Sequence, residues 1–475
     1  MPGRVLSVLQ FFPRGGSSHV ARALARGLPA HGWEVTLLSG SRRDLGEHAD
    51  AHRFYAGLDV RAVEFDAALA SPDPLDPPRG AAPMHPSFED RPGAPDLVFA
   101  RLDGAAYERQ VAAWADALAA ARAPEADVLH LHHLTPLHAA AHRVAPRVPI
   151  VGHLHGTELL MLEAIAAGPP EDWIHASAWA RRMGEWARRC ARLILLSPSQ
   201  VERARRLLDI DPAACAVVPN GFEPERIRRV ELDRAAHWRT HLVQQPRGWR
   251  PGRGPGSVRY SEDAVSALAA GPVILSVGRF TAVKRTWLLI EAFAAARRRF
   301  ARPASLVLVG GHPGEWEGEH PLETVERLGV RGVYLAGWHE HDTLPAFLSA
   351  SDVLALASVR EQFGQVLVEA MAAELPLVAV NRFGPAEIVE PGRTGWLVEP
   401  DDRDALADAL AAAVNDPAER ERRGAAARAA ATERYAWPAL AGRVAGLFDD
   451  VAAGRATVPG GPAVVPGGRE RGALA

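Results

Sequence analysis

Short apolar runs alternate with amphipathic stretches along the first half of this chain. Near its start, "RVLSVLQFF" has the pattern of a buried strand, "PRGGSS" of a tight loop, "HVARALARGLPAHG" of a helix that ends at Gly32, and "WEVTLLSG" of a second strand. A strand, a helix and a strand in this order predict a βαβ unit with a parallel sheet. Strand-like runs recur at "DVLHLHH", "VPIVGHLHG" and "RLILLSPS", with helical segments between them.

A second series of the same kind begins at "GPVILSVGRF" and continues through "ASLVLVGG", "GVYLAGW", "DVLALAS" and "LPLVAV". Two such series in one chain predict an α/β protein with two doubly wound, Rossmann-like domains. We assign residues 1–222 to an N-terminal domain and residues 269–436 to a C-terminal domain.

The stretches outside these patterns are rich in proline, glycine or arginine. Residues 223–268 contain "QQPRGWRPGRGPGS" and are interpreted as a linker with a surface insertion. Residues 71–96 are interpreted as a long loop that interrupts the first domain. The tail, residues 452–475, has too few apolar side chains to bury and is predicted to be disordered.

The composition is that of a soluble globular protein. Hydrophobic residues make up 48% and charged residues 23% of the 475 positions, and the formal net charge of −3 argues against broad nucleic-acid binding. Cys190 and Cys215 are too few for a disulfide framework, which favours a reducing compartment. The first apolar run is too short for a signal segment, and no 18-residue apolar run occurs. We expect a cytoplasmic protein and leave peripheral contact with the inner membrane face open.

The chain has a single lysine among its 54 lysine and arginine residues. Lys284 follows Arg279 by five positions, and both come after the predicted buried strand "VILSV". Ligands of open α/β sheets bind at the carboxyl ends of strands, and two cations there, close to a helix N-terminus, suit a diphosphate. The competing interpretation is two surface cations on a loop.

A second candidate is "EQFGQVLVEAMA", which begins at Glu361. Phe363 and Gly364 predict a turn into a helix that carries Glu369, and glycine there permits close backbone approach. A carboxylate can accept two hydrogen bonds, which suits the vicinal hydroxyls of a ribose or a hexose. Solvated glutamates on a helix, or one satisfied core carboxylate, are the alternatives.

Taken together, these motifs resemble a known family. The order G-R-x4-K, then E-x7-E with F-G after the first glutamate, then "GPAEIVEPGRTGWLVEPDD", is similar to the retaining glycosyltransferases of family 4. The early "GGSSHVARAL", "HLHGTEL" and "VVPNGF" fit in position and order. The resemblance omits the 71–96 loop and residues 230–268. It implies the GT-B fold, in which two Rossmann-like domains face each other across a cleft and a helix, here 437–451, returns to the first domain.

The resemblance also implies roles for the C-terminal candidates. Arg279 and Lys284 would bind the donor diphosphate, and Glu369 would bind the ribose. Glu361, with the backbone of Phe363 and Gly364, would hold the donor sugar.

In the N-terminal domain, the resemblance implies that Gly15 and Gly16 face the donor phosphate. His155 matches the family position that touches the donor sugar near the reacting carbon, and His153 is the fallback. The residues implied as catalytic are therefore His155, Arg279, Lys284 and Glu361.

Three positions depart from the family pattern. Arg285 stands where a glycine usually follows the lysine, Glu374 stands in a run that usually has glycine, and Phe383 replaces the first glycine of a pair completed by Gly384. These departures leave the fold assignment intact and put the shape of the donor pocket in doubt.

Histidines are dense in the first half of the chain. A metal site is disfavoured because no aspartate, glutamate or cysteine joins them at a ligand spacing, and because alternation along strands is expected to scatter them to opposite faces. The histidines in question are His130, His132, His133, His138, His142, His153 and His155.

The implied reaction moves a hexosyl group, with retention, from a nucleotide diphosphate sugar to an acceptor hydroxyl. UDP-sugars are favoured and GDP-sugars stay open; no metal and no cofactor are expected, since the nucleotide sugar is a substrate. The acceptor, a small molecule, a glycan or a lipid-linked compound, is not identified, nor is the oligomeric state. A basic helix with Trp179 and Trp186 leaves contact with anionic lipid open. The alternatives are a GT-B nucleotide-sugar epimerase and a non-catalytic sugar-binding protein.

Overall fold

The computed structural model describes residues 2–13, 15–89 and 95–454, and the chain forms two compact units. Unit 1 comprises Met1–Val218 and the chain from Ala441 onward, and unit 2 comprises Pro219–Leu440. The chain therefore returns to unit 1 within its last helix. Most of the tail predicted to be disordered, from residue 455 on, lies outside the described residues.

Unit 1 is built on a seven-stranded parallel sheet with the order β3-β2-β1-β4-β5-β6-β7. Its central strands β1, β4 and β5 are almost wholly buried because helices cover both faces of a parallel sheet. The strands are β1 (Gly3–Leu9), β2 (Trp33–Ser41), β3 (Asp59–Glu64), β4 (Val128–His132), β5 (Ile150–His153), β6 (Arg192–Leu195) and β7 (Cys215–Val217).

Eight helices of unit 1 connect or flank these strands: α1 (Gly16–Gly27), α2 (Ala51–Phe54), α3 (Asp66–Leu69), α4 (Gly104–Ala120), α5 (Leu137–Val144), α6 (Thr157–Ala167), α7 (Ala176–Arg189) and α8 (Pro198–Leu208). Side-chain caps begin several of them, as where Asp103 accepts a hydrogen bond from the Ala106 amide at 2.8 Å. The last helix of the chain also contacts this unit, since Trp33 Nε1 donates to Asp449 Oδ1 at 3.1 Å.

Unit 2 is built on a six-stranded parallel sheet with the order β10-β9-β8-β11-β12-β13. This is the doubly wound order of a Rossmann-like domain. Its strands are β8 (Val273–Val277), β9 (Ser305–Val309), β10 (Val333–Gly337), β11 (Val353–Leu356), β12 (Leu377–Val380) and β13 (Gly395–Val398).

The helices from residue 219 on are α9 (Arg234–Arg239), α10 (Glu262–Ala270), α11 (Thr286–Ala296), α12 (Pro321–Leu328), α13 (Leu344–Ser349), α14 (Gln365–Ala372), α15 (Gly384–Ile388), α16 (Arg403–Asn415), α17 (Pro417–Tyr435) and α18 (Trp437–Ala452). The first of these continues into a short π-helix, Thr240–Gln244.

The segment interpreted as a linker and surface insertion contributes to the core of unit 2. Trp238 and Trp249 are fully buried. Trp249 Nε1 donates to the Gly311 carbonyl at 2.9 Å, and its ring stacks on Phe280. The tryptophans thus hold this segment against the sheet, and the interpretation as a surface insertion does not hold for them.

The proline-rich loop is anchored to unit 1 at its C-terminal part. Met84, His85 and Phe88 are buried, and the His85 ring packs edge-on against Phe11 at 4.9 Å. Residues 90–94 lie outside the described residues.

The two tryptophans of α7 are also buried, and Trp179 Nε1 donates to the Leu102 carbonyl at 3.0 Å. They are core residues and do not offer a surface to lipid. Within the described ranges, the helices lack the combination of length and apolarity that spanning a bilayer requires.

Candidate active site

The candidate site of unit 2 lies where the order of its strands reverses. The sheet runs β10-β9-β8 in one direction and β11-β12-β13 in the other, so the switch point lies between β8 and β11. Ligands of doubly wound sheets bind at the carboxyl ends of the strands at this point. Arg279 and Lys284 follow β8, and Glu361 follows β11. The predicted residues therefore meet at the place where the fold has its binding crevice.

Lys284 and Glu361 are paired across the switch point. Lys284 ends a single 3₁₀ turn before α11, and its Nζ donates a hydrogen bond to Glu361 Oε2. The lysine stem lies over Gly278, where a Cβ would be 3.7 Å from Lys284 Cε. Both side chains are about four-fifths buried, with 22% and 19% exposed. The only ammonium of a lysine side chain in the protein is thus held in place by a carboxylate from the neighbouring strand end.

Arg279, in contrast, is an exposed cation. Across the described ranges it has no ion-pair or hydrogen-bond partner for its guanidinium. Arg279 and Lys284 both line a small pocket at the ends of β8, β9 and β11. The other residues lining it are Ser276, Val277, Gly278, Phe280, Thr286, Leu308, Val309 and Leu356. Positive charge is therefore concentrated in one pocket.

The turn before α14 presents backbone rather than side chains. Gly364 is the residue before the helix and has φ +102°, a conformation that favours glycine. The Phe363 ring is buried against Tyr435, with ring centroids 6.1 Å apart. A Cβ on Gly384 would be 1.9 Å from the Phe363 carbonyl oxygen, so only glycine fits there. The Phe363 ring is therefore a packing group, and a role of its main chain at the donor sugar stays a prediction.

Glu369 is a buried carboxylate with two partners. Its Oε1 accepts a hydrogen bond from Gln365 Nε2 at 3.3 Å and lies 2.7 Å from His341 Nε2. Gln365 also donates to the Gly221 carbonyl at 2.8 Å. Sequence reasoning missed His341, although it follows β10 and so belongs to the same edge of the sheet. The carboxylate is thus oriented by one side chain of its own helix and one from the turn that follows β10.

The three departures from the family glycines all retain a glycine-like backbone. Arg285 has φ +51°, Glu374 has φ +64° and Phe383 has φ +52°. Non-glycine residues adopt positive φ at an energetic cost. The chain therefore preserves the backbone path of the pocket while changing its side chains.

In unit 1, Gly15 is the N-cap of α1 and Gly16 is its first residue. A Cβ on either glycine would meet no atom within 4 Å. The amides at this helix start are therefore sterically accessible.

His155 lies just beyond the end of β5. It is half-buried, and its Nε2 is 2.9 Å from His132 Nδ1. Burial, followed by the neighbouring His133 and His132, holds the pKa of His155 well below its ordinary value. The imidazole is therefore neutral near pH 7, and it can donate one hydrogen bond and accept another.

The expected scattering of the histidines is wrong. His130 and His132 are two residues apart on β4 and share a face, and His132 pairs in register with His153 on β5. One ring nitrogen from each of His130, His132 and His153 lies within 4.8 Å of the other two. The rings of His133 and His155 are 4.5 Å apart beside them. Side chains spaced by two residues share one face of a strand, and those of adjacent strands can then lie side by side. This spacing of the histidines was the sequence signal that could have predicted the cluster.

Comparison with known proteins agrees with the fold and the motifs. The structure is similar to sucrose-phosphate synthase from Thermosynechococcus elongatus, with a TM-score of 0.66 and 20% identity over 95% of this chain and 100% of that one. Anabaena HepE in complex with UDP and glucose gives a TM-score of 0.64 and 18% identity, covering 94% of this chain and 100% of that one. The two parallel-sheet units thus have the fold of the GT-B glycosyltransferases.

Two family models match the chain in succession: "Glycosyltransferase Family 4" over residues 14–226 and "Glycosyl transferases group 1" over residues 262–430. The chain belongs to this family of glycosyltransferases. Alpha-D-kanosaminyltransferase of Streptomyces kanamyceticus is 32% identical over 184 residues, which are 38% of this chain and 46% of that protein. Glycogen synthase of Mycobacterium tuberculosis is 28% identical over 324 residues, 68% of either chain. The chain thus spans about half the length of the first relative and two thirds of the second.

Proposed function

We propose that this protein is a retaining glycosyltransferase that moves a hexosyl group from a nucleotide diphosphate sugar, preferably a UDP-sugar, to an acceptor hydroxyl. The observation that carries the proposal is the pocket at the switch point of unit 2. It combines one exposed, unpaired arginine with one carboxylate-held lysine, and a buried carboxylate lies on the helix that follows. This set suits a diphosphate flanked by two sugars.

In the proposed reaction, the bond between the anomeric carbon and the diphosphate oxygen breaks. Arg279 and Lys284 stabilise the negative charge that develops on the departing nucleoside diphosphate. Glu361 accepts hydrogen bonds from the donor sugar, and Lys284 turns from this carboxylate toward the diphosphate when the donor binds. The ion pair with Glu361 thus keeps Lys284 close to the diphosphate position until the donor binds.

Retention follows from attack on the face that the leaving group occupies. The acceptor oxygen bonds to the anomeric carbon, and its proton passes to the departing phosphate oxygen. The neutral imidazole of His155 would donate or accept a hydrogen bond at the donor sugar without adding charge. Two protein cations supply the electrostatic role that a divalent metal has in other transferases, so we propose that transfer does not require one.

The test is nucleotide release by the full chain. UDP-, GDP- and ADP-sugars are each incubated with and without a panel of hydroxyl acceptors, and the anomeric configuration of any product is read by NMR. We expect one nucleotide series to support acceptor-dependent release with retention, unchanged by EDTA. Release without an acceptor together with a new sugar epimer would favour an epimerase, and tight binding without release would favour a sugar-binding protein.

A matched pair of variants ties the activity to the pocket. Lys284→Ala should abolish most transfer. Arg298→Ala removes an exposed cation just beyond the far end of α11, roughly 20 Å from Lys284 at 1.5 Å per helical residue, and should leave activity unchanged. Equal loss in both variants would contradict the assignment of the pocket.

A further inference from the structure

We propose that unit 1 binds one transition-metal ion of the zinc class through His130, His132 and His153. One ring nitrogen from each residue lies within 4.8 Å of the other two, and the three residues are 0–1% exposed. This site is separate from the pocket at the switch point of unit 2, and the proposal does not depend on the proposed transferase activity.

The ligands are held on rigid elements. His130 and His132 project from the same face of β4, and His153 ends β5 in register with His132. Adjacent central strands fix the spacing of side chains more firmly than loops do. The triad is therefore arranged by the sheet before any ion arrives.

The distance between His130 and His153 suits tetrahedral coordination. His130 Nε2 and His153 Nδ1 are 3.2 Å apart. Two imidazole nitrogens on a tetrahedral zinc ion, each about 2.0–2.1 Å from the metal, are separated by about 3.3 Å. Ser7 Oγ lies 3.3 Å from His130 Nδ1 and so occupies the place of the outer hydrogen-bond partner that metal-bound histidines usually have.

The donor set limits which ions the site would take. Imidazole ligands favour zinc, copper, nickel and cobalt over magnesium and calcium, which prefer oxygen.

A buried carboxylate lies nearby. Glu158 Oε1 is 3.2 Å from His133 Nδ1 and 3.3 Å from the amide nitrogen of His155, whose ring contacts His132. Glu158 thus holds the two residues whose rings flank the triad.

Hydrogen bonding among the same side chains is the competing explanation of the cluster. A chain of contacts runs from His153 through His130, Ser7 and His132 to His155. It leaves His153 Nε2 buried without a hydrogen-bond partner in the described part of the protein. A metal bound at His153 Nδ1 would leave this atom in the same state, so measured metal content has to decide between the two explanations.

The experiment measures metal content of the full, untagged chain. The protein is stripped with a chelator, incubated with excess Zn²⁺, Co²⁺ or Mg²⁺, and desalted before elemental analysis. We expect one Zn²⁺ or one Co²⁺ per chain, visible absorption bands of tetrahedral Co²⁺, a raised Tm with Zn²⁺ and no retained Mg²⁺. A wild-type chain that retains neither Zn²⁺ nor Co²⁺ overturns the proposal in favour of a hydrogen-bonded network only.

Variants locate the ion. His153→Thr and His130→Gln should each lower Zn²⁺ affinity at least about 100-fold, the upper end of the effect of losing an outer partner. Ser7→Ala should keep the stoichiometry with weaker binding, and His48→Gln, at an exposed histidine, should change nothing. Unfolding curves recorded without metal identify any variant that fails to fold. Full Zn²⁺ retention in folded His130→Gln or His153→Thr would overturn the proposal.

Discussion

Lys284 and Glu361 are 77 residues apart in sequence and form an ion pair at the switch point of unit 2. Sequence reasoning gave them separate roles, at the diphosphate and at the sugar. Their pairing holds a flexible lysine in one orientation: the carboxylate binds the ammonium, and the stem packs over Gly278.

Lys284→Arg tests whether the shape of this cation matters. A guanidinium is wider than an ammonium and favours two parallel bonds, so it should not fit a part-buried position beside Arg279. We expect turnover to fall at least about tenfold, and further in Lys284→Ala, because losing one preorganised charge contact costs roughly 10²–10³ in rate. Steady-state kinetics, with circular dichroism as the folding control, check this. Near-normal turnover would mean that only the charge is needed.

Glu369→Gln and Glu361→Gln separate two roles. Glu369 is oriented by Gln365 and His341, and its substitution should weaken binding of free UDP as well as of the intact donor. Glu361→Gln should preserve UDP affinity, because loss of the carboxylate frees Lys284 for the diphosphate. The same substitution should lower the rate of transfer. Isothermal titration with UDP and with the donor measures both. Equal loss of UDP affinity in the two variants would contradict this division.

At the scale of elements, the backbone just after helix α14 is strained. Ala373 is the C-cap of the helix, and Glu374, the next residue, has φ +64°, which is unfavourable for a non-glycine residue. The Leu375 amide donates back to the Ala370 carbonyl at 2.9 Å, as in a helix end that usually carries glycine.

Glu374→Gly should therefore stabilise the protein. Relief of the left-handed conformation is worth about 1–2 kcal/mol and is partly offset by the larger entropy of an unfolded glycine, which leaves a gain of about 1 kcal/mol. Ala373→Gly is the matched control, since its φ of −94° already suits alanine and glycine there should be destabilising. Urea unfolding measures both. A gain in Ala373→Gly equal to that in Glu374→Gly would refute the conformational explanation.

Buried histidines on β4, β5 and α5 should make the fold sensitive to acid. His138 on α5 is fully buried and stacks on Trp186, and burial lowers its pKa to about 3. The Thr135 carbonyl and Glu158 favour its charged form, and His142 opposes it. Burial dominates, so the folded state keeps this ring neutral where the unfolded chain, with a pKa of about 6.5, binds a proton.

The sign of the effect follows from linkage. Stability contributed by neutral His138 is present above pH 6.5 or so and is lost as the pH falls toward about 3, because the unfolded state then binds more protons. At pH 5 the loss is about 2 kcal/mol for one such residue. Chemical denaturation of wild type and His138→Leu between pH 7.5 and 5 should show the shallower slope in the variant. Identical slopes would show that His138 does not titrate differently on unfolding.

At the scale of the whole molecule, the switch-point pocket belongs to unit 2 and the histidine cluster to unit 1, and helix α18 begins in unit 2 and continues in unit 1. The proline-rich loop belongs to unit 1, where Phe88 packs against His133 with ring centroids 5.6 Å apart. Residues 78–80 of this loop are exposed, and residue 77 is partly exposed.

We predict that the exposed part of this loop affects the acceptor. Deleting Pro77–Gly80, while keeping Met84 and Phe88 in the core, should change the acceptor KM severalfold and leave hydrolysis of the donor unaltered. Replacing the same four residues by glycine and serine keeps the length and is the control. Unchanged acceptor kinetics in the deletion variant would refute the assignment of the loop.

Local patterning determined the fold class of this protein. Apolar runs bounded by loops specified the strands, and their alternation with helices is compatible with few topologies other than doubly wound parallel sheets. The same rule predicted that Arg279, Lys284 and Glu361 would share one edge, because carboxyl ends of parallel strands meet there.

Pairing and packing were decided by the tertiary structure. The Lys284–Glu361 bond, the contact of His341 with Glu369 and the burial of Trp249 join residues that are distant in sequence, and no local pattern encodes such contacts. The histidine cluster shows most clearly what the sequence determines and what the tertiary structure adds. Because His130 and His132 are two residues apart on a strand, they share one face, but only the order and register of β4 and β5 bring His153 to them. A sequence specifies which face a side chain occupies, whereas the neighbour on the adjacent strand follows from how the whole sheet assembles.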